Sequence, residues 1–273
     1  MSATEGIAGT VETGRVGVAD GIELAWTARG EGPPLLLVHG FTGSQADWEG
    51  VVDDLAAVGR RVITVDQRGH GFSSHATGEA DYTFDALVAD LAAFVDRLGL
   101  DGIDLLGHSM GGMVVMRYAL GHQDRLASLV LMDTAGEPPK GVPMEDFFRA
   151  GIDMVRSGGM EAIAAVMGPM TPEEDRDRAM TGLQAMDPNA FVGLAEQLID
   201  HPSALGRLAD LRVPTTVIVG EHDLPLRAAS DDLAAAVPGA ELVVIPDAVH
   251  SPQIENRDAW LEAMRAHLAA AAR

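Results

Sequence analysis

The sequence predicts an α/β fold, a mostly parallel sheet flanked by helices, with a helical cap inserted between two of its strands. Two observations lead to this prediction. Short apolar runs alternate with segments of helical periodicity over most of the chain, and this alternation stops between residues 136 and 208, where only helical patterns remain. In such folds the loops at the carboxyl ends of the strands form the functional site.

The elements follow one another in a regular order. A hairpin is expected at 15–18 and 22–27, around an Asp-Gly turn, and buried strands are expected at 35–38, 62–65, 103–106, 129–132, 216–219 and 242–245. Core helices are expected at 47–58, 84–98 behind a Thr83 cap, 113–120, 227–237 and 260–268. Between 136 and 208 the helical patterns cover 144–155, 160–166, 172–186 and 188–198. We therefore divide the chain into a loose lead at 1–14, a core at 15–135 and 209–273, and the cap at 136–208.

Composition excludes several classes of function. The 273 residues include 41 acidic and 19 basic side chains, which give a formal charge of −22. Nucleic acids and anionic membranes bind cationic surfaces, so neither is expected as a partner. The chain has no cysteine, which excludes thiolate catalysis and disulfides. No basic leader and no long apolar run is present, and we expect a soluble, cytoplasmic protein.

One serine lies in a turn suited to a nucleophile. The stretch G-H-S-M-G at 107–111 follows an apolar strand and precedes a helical pattern, so Ser109 is expected in a sharp, strained turn that exposes its Oγ atom. Glycines on both sides remove the side chains that would crowd such a turn. A serine hydroxyl is a weak nucleophile until a neighbouring base takes its proton.

The ends of two later strands supply that base and an acid to orient it. Asp223 follows the strand at 216–219, and His250 follows the strand at 242–245. If these strands run parallel to the serine strand, all three side chains meet at one edge of the sheet. We predict Ser109 as nucleophile, His250 as general base and Asp223 as the acid that orients it. Asp133, after the strand at 129–132, is the alternative acid.

A tetrahedral intermediate also needs N–H donors for its oxyanion, and position in the chain suggests two. These are the backbone N–H groups of Met110, at the start of a helix, and of Phe41. Asp66 and Arg68 are expected to tie loops together, His222 to be exposed, and three further histidines to be packed structural residues: His39, His70 and His108. No His and carboxylate cluster has metal-ligand spacing, so neither metal nor cofactor is expected.

The motifs together resemble a known family. They are H-G-F at 39–41, D-Q-R-G-H-G at 66–71, G-H-S-M-G-G at 107–112, G-E-H-D at 220–223 and V-H at 249–250, and they span nearly the whole chain. In this order they resemble the α/β-hydrolase superfamily, in its serine esterase and lactonase branch with a helical cap. The resemblance implies cofactor-free hydrolysis of a small-molecule carboxylic ester or lactone through an acyl-enzyme.

Departures from other branches narrow the reaction. Haloalkane dehalogenases and epoxide hydrolases of this fold use an aspartate where Ser109 stands. Carbon–carbon-bond hydrolases often have a tryptophan after the catalytic histidine, and hydroxynitrile lyases a lysine, whereas this chain has Ser251. Three alternatives stay open: carbon–carbon cleavage of a vinylogous keto acid, cofactor-free perhydrolysis, and a binding protein that kept the fold without catalysis.

The cap is rich in methionine. It holds more than half of the chain's 13 methionines together with several phenylalanines. Methionine adapts to irregular apolar space, which favours a broad apolar pocket. We predict that Phe147, Met144, Met167 and Met170 line it, with ordinary helix packing as the alternative for each.

Overall fold

An eight-stranded sheet lies at the centre of the computed structural model, which describes residues 11–138 and 144–271. Its strands are β1 (Glu12–Ala19), β2 (Ile22–Arg29), β3 (Pro34–Val38), β4 (Arg61–Val65), β5 (Ile103–His108), β6 (Leu126–Met132), β7 (Thr215–Gly220) and β8 (Glu241–Ile245). They lie in the order β1-β2-β4-β3-β5-β6-β7-β8. β1 and β2 form an antiparallel hairpin, β2 is antiparallel to β4, and the other neighbours are parallel. The predicted α/β fold is confirmed.

Helices cover both faces of this sheet. They are α1 (Glu49–Ala57), α2 (Phe84–Arg97), α3 (Met110–Gly121), α4 (Met144–Met170), α5 (Glu173–Gln184), α6 (Pro188–Ile199), α7 (Leu205–Leu208), α8 (Leu224–Ala236), α9 (Pro252–Glu255) and α10 (Arg257–Ala271). Alternate residues of β3 enter two different cores: Leu36 packs with α2 and α3, whereas Leu37 packs with Trp48 and Trp260 on the α1 and α10 side. A strand buried on both faces needs the continuous apolar run that the sequence shows.

Several boundaries differ from the sequence expectation, most of them by one to three residues. β1 begins at Glu12, inside the expected loose lead, because residues 12–14 pair with residues 26–28 of β2; residues 1–10 of that lead lie outside the described residues. β6 begins at Leu126, three residues before the apolar run. The patterns at 144–155 and 160–166 form two helical segments of α4, as expected, separated by a kink at Gly159 where φ is 67°, and the second segment continues to Met170.

The described residues between β6 and β7 form helices and turns without a strand. The Ala204 N–H donates to the Gly136 carbonyl at 2.7 Å, which brings the two ends of this segment together. Its helices bond to the core through Arg178 of α5, 2.5 Å from Asp47, and Arg156 of α4, 2.6 Å from Glu79. Among the described residues, no helix combines the length and apolarity that a membrane span requires.

Candidate active site

Ser109 lies in a strained turn between β5 and α3. Its φ of 54° and ψ of −120° lie far from the helix and strand regions for an L-residue. A Cβ on Gly107 would lie 2.4 Å from the Gly111 carbonyl oxygen, and one on Gly111 would lie 2.4 Å from the His39 carbonyl oxygen. Only glycine fits at either position, so the sequence forces the tight turn that projects the Ser109 side chain.

Two hydrogen bonds join the three residues that the sequence singled out. The Ser109 hydroxyl lies 3.0 Å from His250 Nε2, and His250 Nδ1 lies 2.7 Å from Asp223 Oδ2. Because the carboxylate accepts the Nδ1 proton, Nε2 is free to accept the serine proton. The His250 side chain is 44% exposed, whereas that of Asp223 is 5% exposed. The arrangement is a partly exposed imidazole held by a buried carboxylate.

Neighbouring strands fix the serine backbone. The Ser109 N–H donates to the Met132 carbonyl at the end of β6 at 2.8 Å, and the Thr134 hydroxyl donates to the Ser109 carbonyl at 2.7 Å. Sequence reasoning missed Thr134. Only its position just past β6, the strand beside β5, indicated a role near the serine, because a single threonine does not form a sequence motif.

The histidine loop is fixed in a similar way. His108 Nε2 lies 2.6 Å from the His250 carbonyl oxygen, and Glu255 Oε2 accepts hydrogen bonds from the N–H groups of Val249 at 2.6 Å and Ser251 at 3.2 Å. Burial lowers the pKa of His108 to about 3, so its ring is neutral and Nε2 carries the proton that it donates. His108 is therefore a support for the loop, as expected, and not a second base.

The turn at 39–41 lies directly beside the serine. A Cβ on Gly40 would lie 3.2 Å from the Ser109 Cβ. His70 Nε2 lies 2.6 Å from the Phe41 carbonyl oxygen and its Nδ1 lies 3.0 Å from the Arg68 carbonyl oxygen, so the ring lies between the two loops. Burial lowers the pKa of His70 to about 4, and the single N–H of the neutral ring donates to one of these two carbonyls. Met110 is the first residue of α3, and its N–H has no acceptor within the helix. Both predicted oxyanion donors thus belong to segments next to Ser109.

The remaining polar residues of the early motifs tie loops together. Asp66 accepts hydrogen bonds from the N–H groups of Gln45 at 2.8 Å and Phe72 at 3.0 Å, and Arg68 bonds to Asp90 at 2.6 Å. His39 Nε2 accepts the Gln67 N–H at 3.0 Å. These contacts hold the loops around the serine turn without touching the Ser109 hydroxyl.

Aromatic rings from the cap pack against Phe41. The rings of Phe148 and Phe191 lie 5.8 and 4.9 Å from the Phe41 ring, centroid to centroid. Phe147, predicted from the sequence as a pocket residue, is 55% exposed, and its contact with a substrate stays a prediction. Successive helical residues point about 100° apart, so only one ring of this pair can face the core.

The predicted pocket methionines divide in the same way. Met144 and Met167 are half-buried against the core, whereas Met170, at the end of α4, is 77% exposed. Their contact with a substrate stays a prediction. The rings that meet the Phe41 turn are those of Phe148 and Phe191.

Asp133, the alternative acid, lies close by but does not bond to His250. Its Oδ1 accepts the Gly220 N–H at 2.9 Å, and Asp223 holds the His250 ring. Among the described residues, two groups place three candidate metal ligands within 4.8 Å: Asp133, Asp223 and His250, and the exposed Glu221, His222 and Asp247. In the first group the Asp223–His250 hydrogen bond already occupies the His250 nitrogen.

Comparisons with known proteins identify the family of this chain. A family model described as the α/β hydrolase fold matches residues 33–164. A non-heme haloperoxidase of Rhodococcus erythropolis is 31% identical, covering 89% of this chain and 94% of the relative. A 2-hydroxy-6-oxo-2,4-heptadienoate hydrolase of Pseudomonas putida is 30% identical, covering 95% and 97%. The chain belongs to the α/β-hydrolase family.

A solved structure extends the likeness within this family. A thermophilic esterase from Thermogutta terrifontis, crystallised with malate, is 32% identical, covers 95% of this chain and 99% of its own, and superposes with a TM-score of 0.83. The α/β-hydrolase fold and the hydrolase class are therefore established for this protein.

Proposed function

We propose that the protein is a serine hydrolase that cleaves a small to medium, largely apolar carboxylic ester or lactone through an acyl-enzyme. The hydrogen-bonded chain from Ser109 through His250 to Asp223 carries this proposal. Such a chain activates a hydroxyl for attack on an acyl carbon, and it requires no cofactor.

Acylation follows from the proton positions. His250 Nε2 takes the Ser109 proton as Oγ bonds to the carbonyl carbon, and the carbonyl electrons move to the oxygen. The N–H groups of Met110 and Phe41 stabilise this oxyanion, and the Asp223 carboxylate stabilises the imidazolium. When the tetrahedral intermediate collapses, the C–O bond to the leaving group breaks and His250 returns the proton to the departing oxygen. A lactone differs only in that the leaving group stays attached to the acyl chain.

Deacylation repeats these steps with water. His250 takes a proton from a water molecule as its oxygen attacks the ester carbon. The Ser109 Oγ bond then breaks and the proton returns to Ser109. The free carboxylic acid leaves, and the hydrogen-bonded chain is restored.

The surroundings favour a neutral, apolar substrate. The aromatic cluster of Phe41, Phe148 and Phe191 lies beside the proposed oxyanion site, and the exposed Leu224 follows directly after the triad acid. Arg178, where α5 meets the core, is already paired with Asp47 at 2.5 Å and Asp175 at 3.4 Å. An anionic substrate would have to compete with these carboxylates, in a chain with a formal charge of −22.

Two related reactions are supported by the relatives. The dienoate named in the Pseudomonas putida hydrolase is a vinylogous keto acid, and carbon–carbon cleavage of such a compound could use the same three residues. The haloperoxidase likeness supports perhydrolysis, in which hydrogen peroxide replaces water in deacylation. Ester hydrolysis is preferred because the aromatic rings of Phe148 and Phe191 against Phe41 suit an apolar acyl group better than a carboxylate.

Turnover of a panel of short p-nitrophenyl esters, lactones and vinylogous keto acids, with and without peroxide, tests the proposal. We expect the esters or lactones to be hydrolysed fastest and Ser109→Ala to lower kcat/KM at least about a thousandfold. Ser251→Ala, beside the base but outside the hydrogen-bonded chain, is the matched control and should stay close to wild type. Ester turnover that persists in Ser109→Ala would refute the assignment, and preferred cleavage of keto acids would replace it with carbon–carbon hydrolysis.

A further inference from the structure

Two buried carboxyl groups lie side by side behind His250. Asp133 is fully buried and Asp223 is 3% exposed, and an oxygen of each lies within 4.8 Å of the other and of a His250 ring nitrogen. The Asp133 backbone has a φ of 44°, and its N–H donates to the Ile218 carbonyl at 2.9 Å. The strained end of β6 thus directs this side chain towards the triad acid.

The hydrogen bonds of Asp133 leave one oxygen without a donor. Oδ1 accepts the Gly220 N–H at 2.9 Å, whereas Oδ2 is buried and accepts no hydrogen bond from any described residue. An ionised carboxylate in this position would combine an unsatisfied buried charge with repulsion from Asp223. A proton on Oδ2 removes both costs and supplies a donor beside the second carboxyl group, because an oxygen of Asp223 lies within 4.8 Å of an oxygen of Asp133.

The surrounding charges favour that proton. Burial raises the pKa of Asp133 well above its usual value, the Gly220 N–H acts in the opposite direction, and the negative charges of Asp223 and Glu255 raise it further. The titratable groups facing Asp133 are Asp223 from the loop after β7, His250 from the loop after β8 and Glu255 from α9. Glu255 is occupied by the N–H groups of Val249 and Ser251 and offers Asp133 no donor.

We propose that Asp133 is a positioning residue, which carries a proton at neutral pH and donates it in a hydrogen bond to the Asp223 carboxylate. This bond fixes the Asp223 oxygens while Oδ2 of Asp223 holds His250 Nδ1. It leaves one negative charge, not two, behind the histidine. The inference rests on the proposed function, because its effect on rate is expressed through His250.

Two substitutions distinguish the effect of the hydrogen bond on kcat from the effect of the volume of the side chain. In Asp133→Asn the amide oxygen can still accept the Gly220 N–H and the NH₂ can donate to Asp223, so kcat should stay within about threefold of wild type. Asp133→Leu has similar volume and no donor, and its kcat should fall about 10- to 100-fold with KM nearly unchanged, the cost of losing a hydrogen bond to a charged group. Equal losses in both variants, or no loss in Asp133→Leu, would overturn the proposal.

The pH profile distinguishes a neutral Asp133 from an ionised one. Removing a neutral group does not change the pH at which kcat/KM falls on the acid side. The pH profile of Asp133→Asn should therefore superpose on that of wild type. Removing a negative charge would move that fall to lower pH, and a shift of about half a unit or more would contradict the proposal. Thermal unfolding of each variant checks that the fold is intact.

Protonation itself can be measured without activity. In Ser109→Ala protein at neutral pH, infrared spectroscopy should show the C=O stretch of a protonated carboxylic acid, and Asp133→Asn in the same background should remove it. A spectrum without that band would overturn the positioning role even if ester hydrolysis is confirmed. The band can also be present in a protein that does not hydrolyse esters. Failure of the positioning role is therefore distinguishable from failure of the proposed function.

Discussion

The protein contains two clusters of serine, histidine and aspartate, at opposite ends of the same sheet. The outer cluster joins Ser109 to His250 just past the carboxyl ends of the strands. The inner cluster joins Ser128 of β6 to His267 of α10, and its Nε2–Oγ distance of 2.8 Å is slightly shorter than the 3.0 Å of the outer one. Distance alone therefore does not distinguish a nucleophile from a structural serine.

The direction of the protons does distinguish them. The Ser128 hydroxyl donates to Asp104 Oδ1 at 2.6 Å, so it must accept the proton of His267 Nε2. The other nitrogen of His267 lies 2.7 Å from the Thr216 hydroxyl, and Arg60 pairs with Asp104 at 2.8 Å. In the outer cluster the carboxylate bonds to the histidine, and the histidine accepts from the serine. For a serine to act as a nucleophile, the histidine must lie between its hydroxyl and the carboxylate, so that the histidine can accept the hydroxyl proton.

Burial adds a second difference. Ser128 and His267 are buried, and burial lowers the pKa of His267 to about 4, so its ring stays neutral near neutral pH. The hydrogen bonds from His267 to Thr216 and Ser128 join α10 to the sheet. The inner cluster stabilises the fold, and the outer one is accessible to a substrate.

Replacing the aspartate of each cluster by asparagine should show the largest difference between the two clusters. Asp223→Asn removes the charge that stabilises the imidazolium and offers His250 the wrong partner, so kcat should fall by about a thousandfold or more. Asp104→Asn removes the partner of Arg60 and Ser128, so it should lower the free energy of unfolding by about 2 kcal/mol while kcat stays near wild type. Ester kinetics and urea unfolding of both variants measure this contrast, and a comparable rate loss in Asp104→Asn would contradict it.

A smaller effect should appear in the pH dependence of stability. The pKa of His267 is lowered from 6.5 to about 4 in the folded protein, so the unfolded chain binds the extra proton first as the pH falls. The contribution of neutral His267 is complete above pH 6.5 and is lost progressively between about pH 6.5 and 4, by about 3 kcal/mol.

Urea unfolding of wild type and His267→Gln at several pH values tests this expectation. The stability of wild type relative to the variant should decrease as the pH falls through that window, and kcat at neutral pH should be unchanged. A difference between the two proteins that does not vary with pH would show that His267 is not held neutral by the fold.

The sequence predicts the parts of this structure that depend on local pattern. Apolar runs located the inner strands, Thr83 caps α2 as expected through the Ala86 N–H, and the glycines around Ser109 predicted its strained turn. The chain order of Ser109, Asp223 and His250 also predicted which residues meet, because parallel strands end at one edge of a sheet.

What the sequence did not predict depends on contacts across the fold. Ser128 and Asp104 lie within apolar strands, and nothing local shows that His267, far along the chain, completes their network. Which of Phe147 and Phe148 faces the core depends on how α4 is rotated about its axis. The sequence pattern of a kinked helix does not determine that rotation. The sequence placed Asp133 near His250 as the alternative acid, but the hydrogen bond that Asp133 accepts from the Gly220 N–H depends on how the ends of β6 and β7 meet, which spacing does not contain.

Covalent labelling tests the central claim most directly. A fluorophosphonate reacts with an activated serine, and tryptic mass spectrometry identifies the modified residue. We expect one adduct per chain, on the peptide containing Ser109, with labelling absent in Ser109→Ala and retained in Ser128→Ala. Labelling that persists in Ser109→Ala, or an adduct on Ser128, would contradict the assignment of Ser109 as the nucleophile.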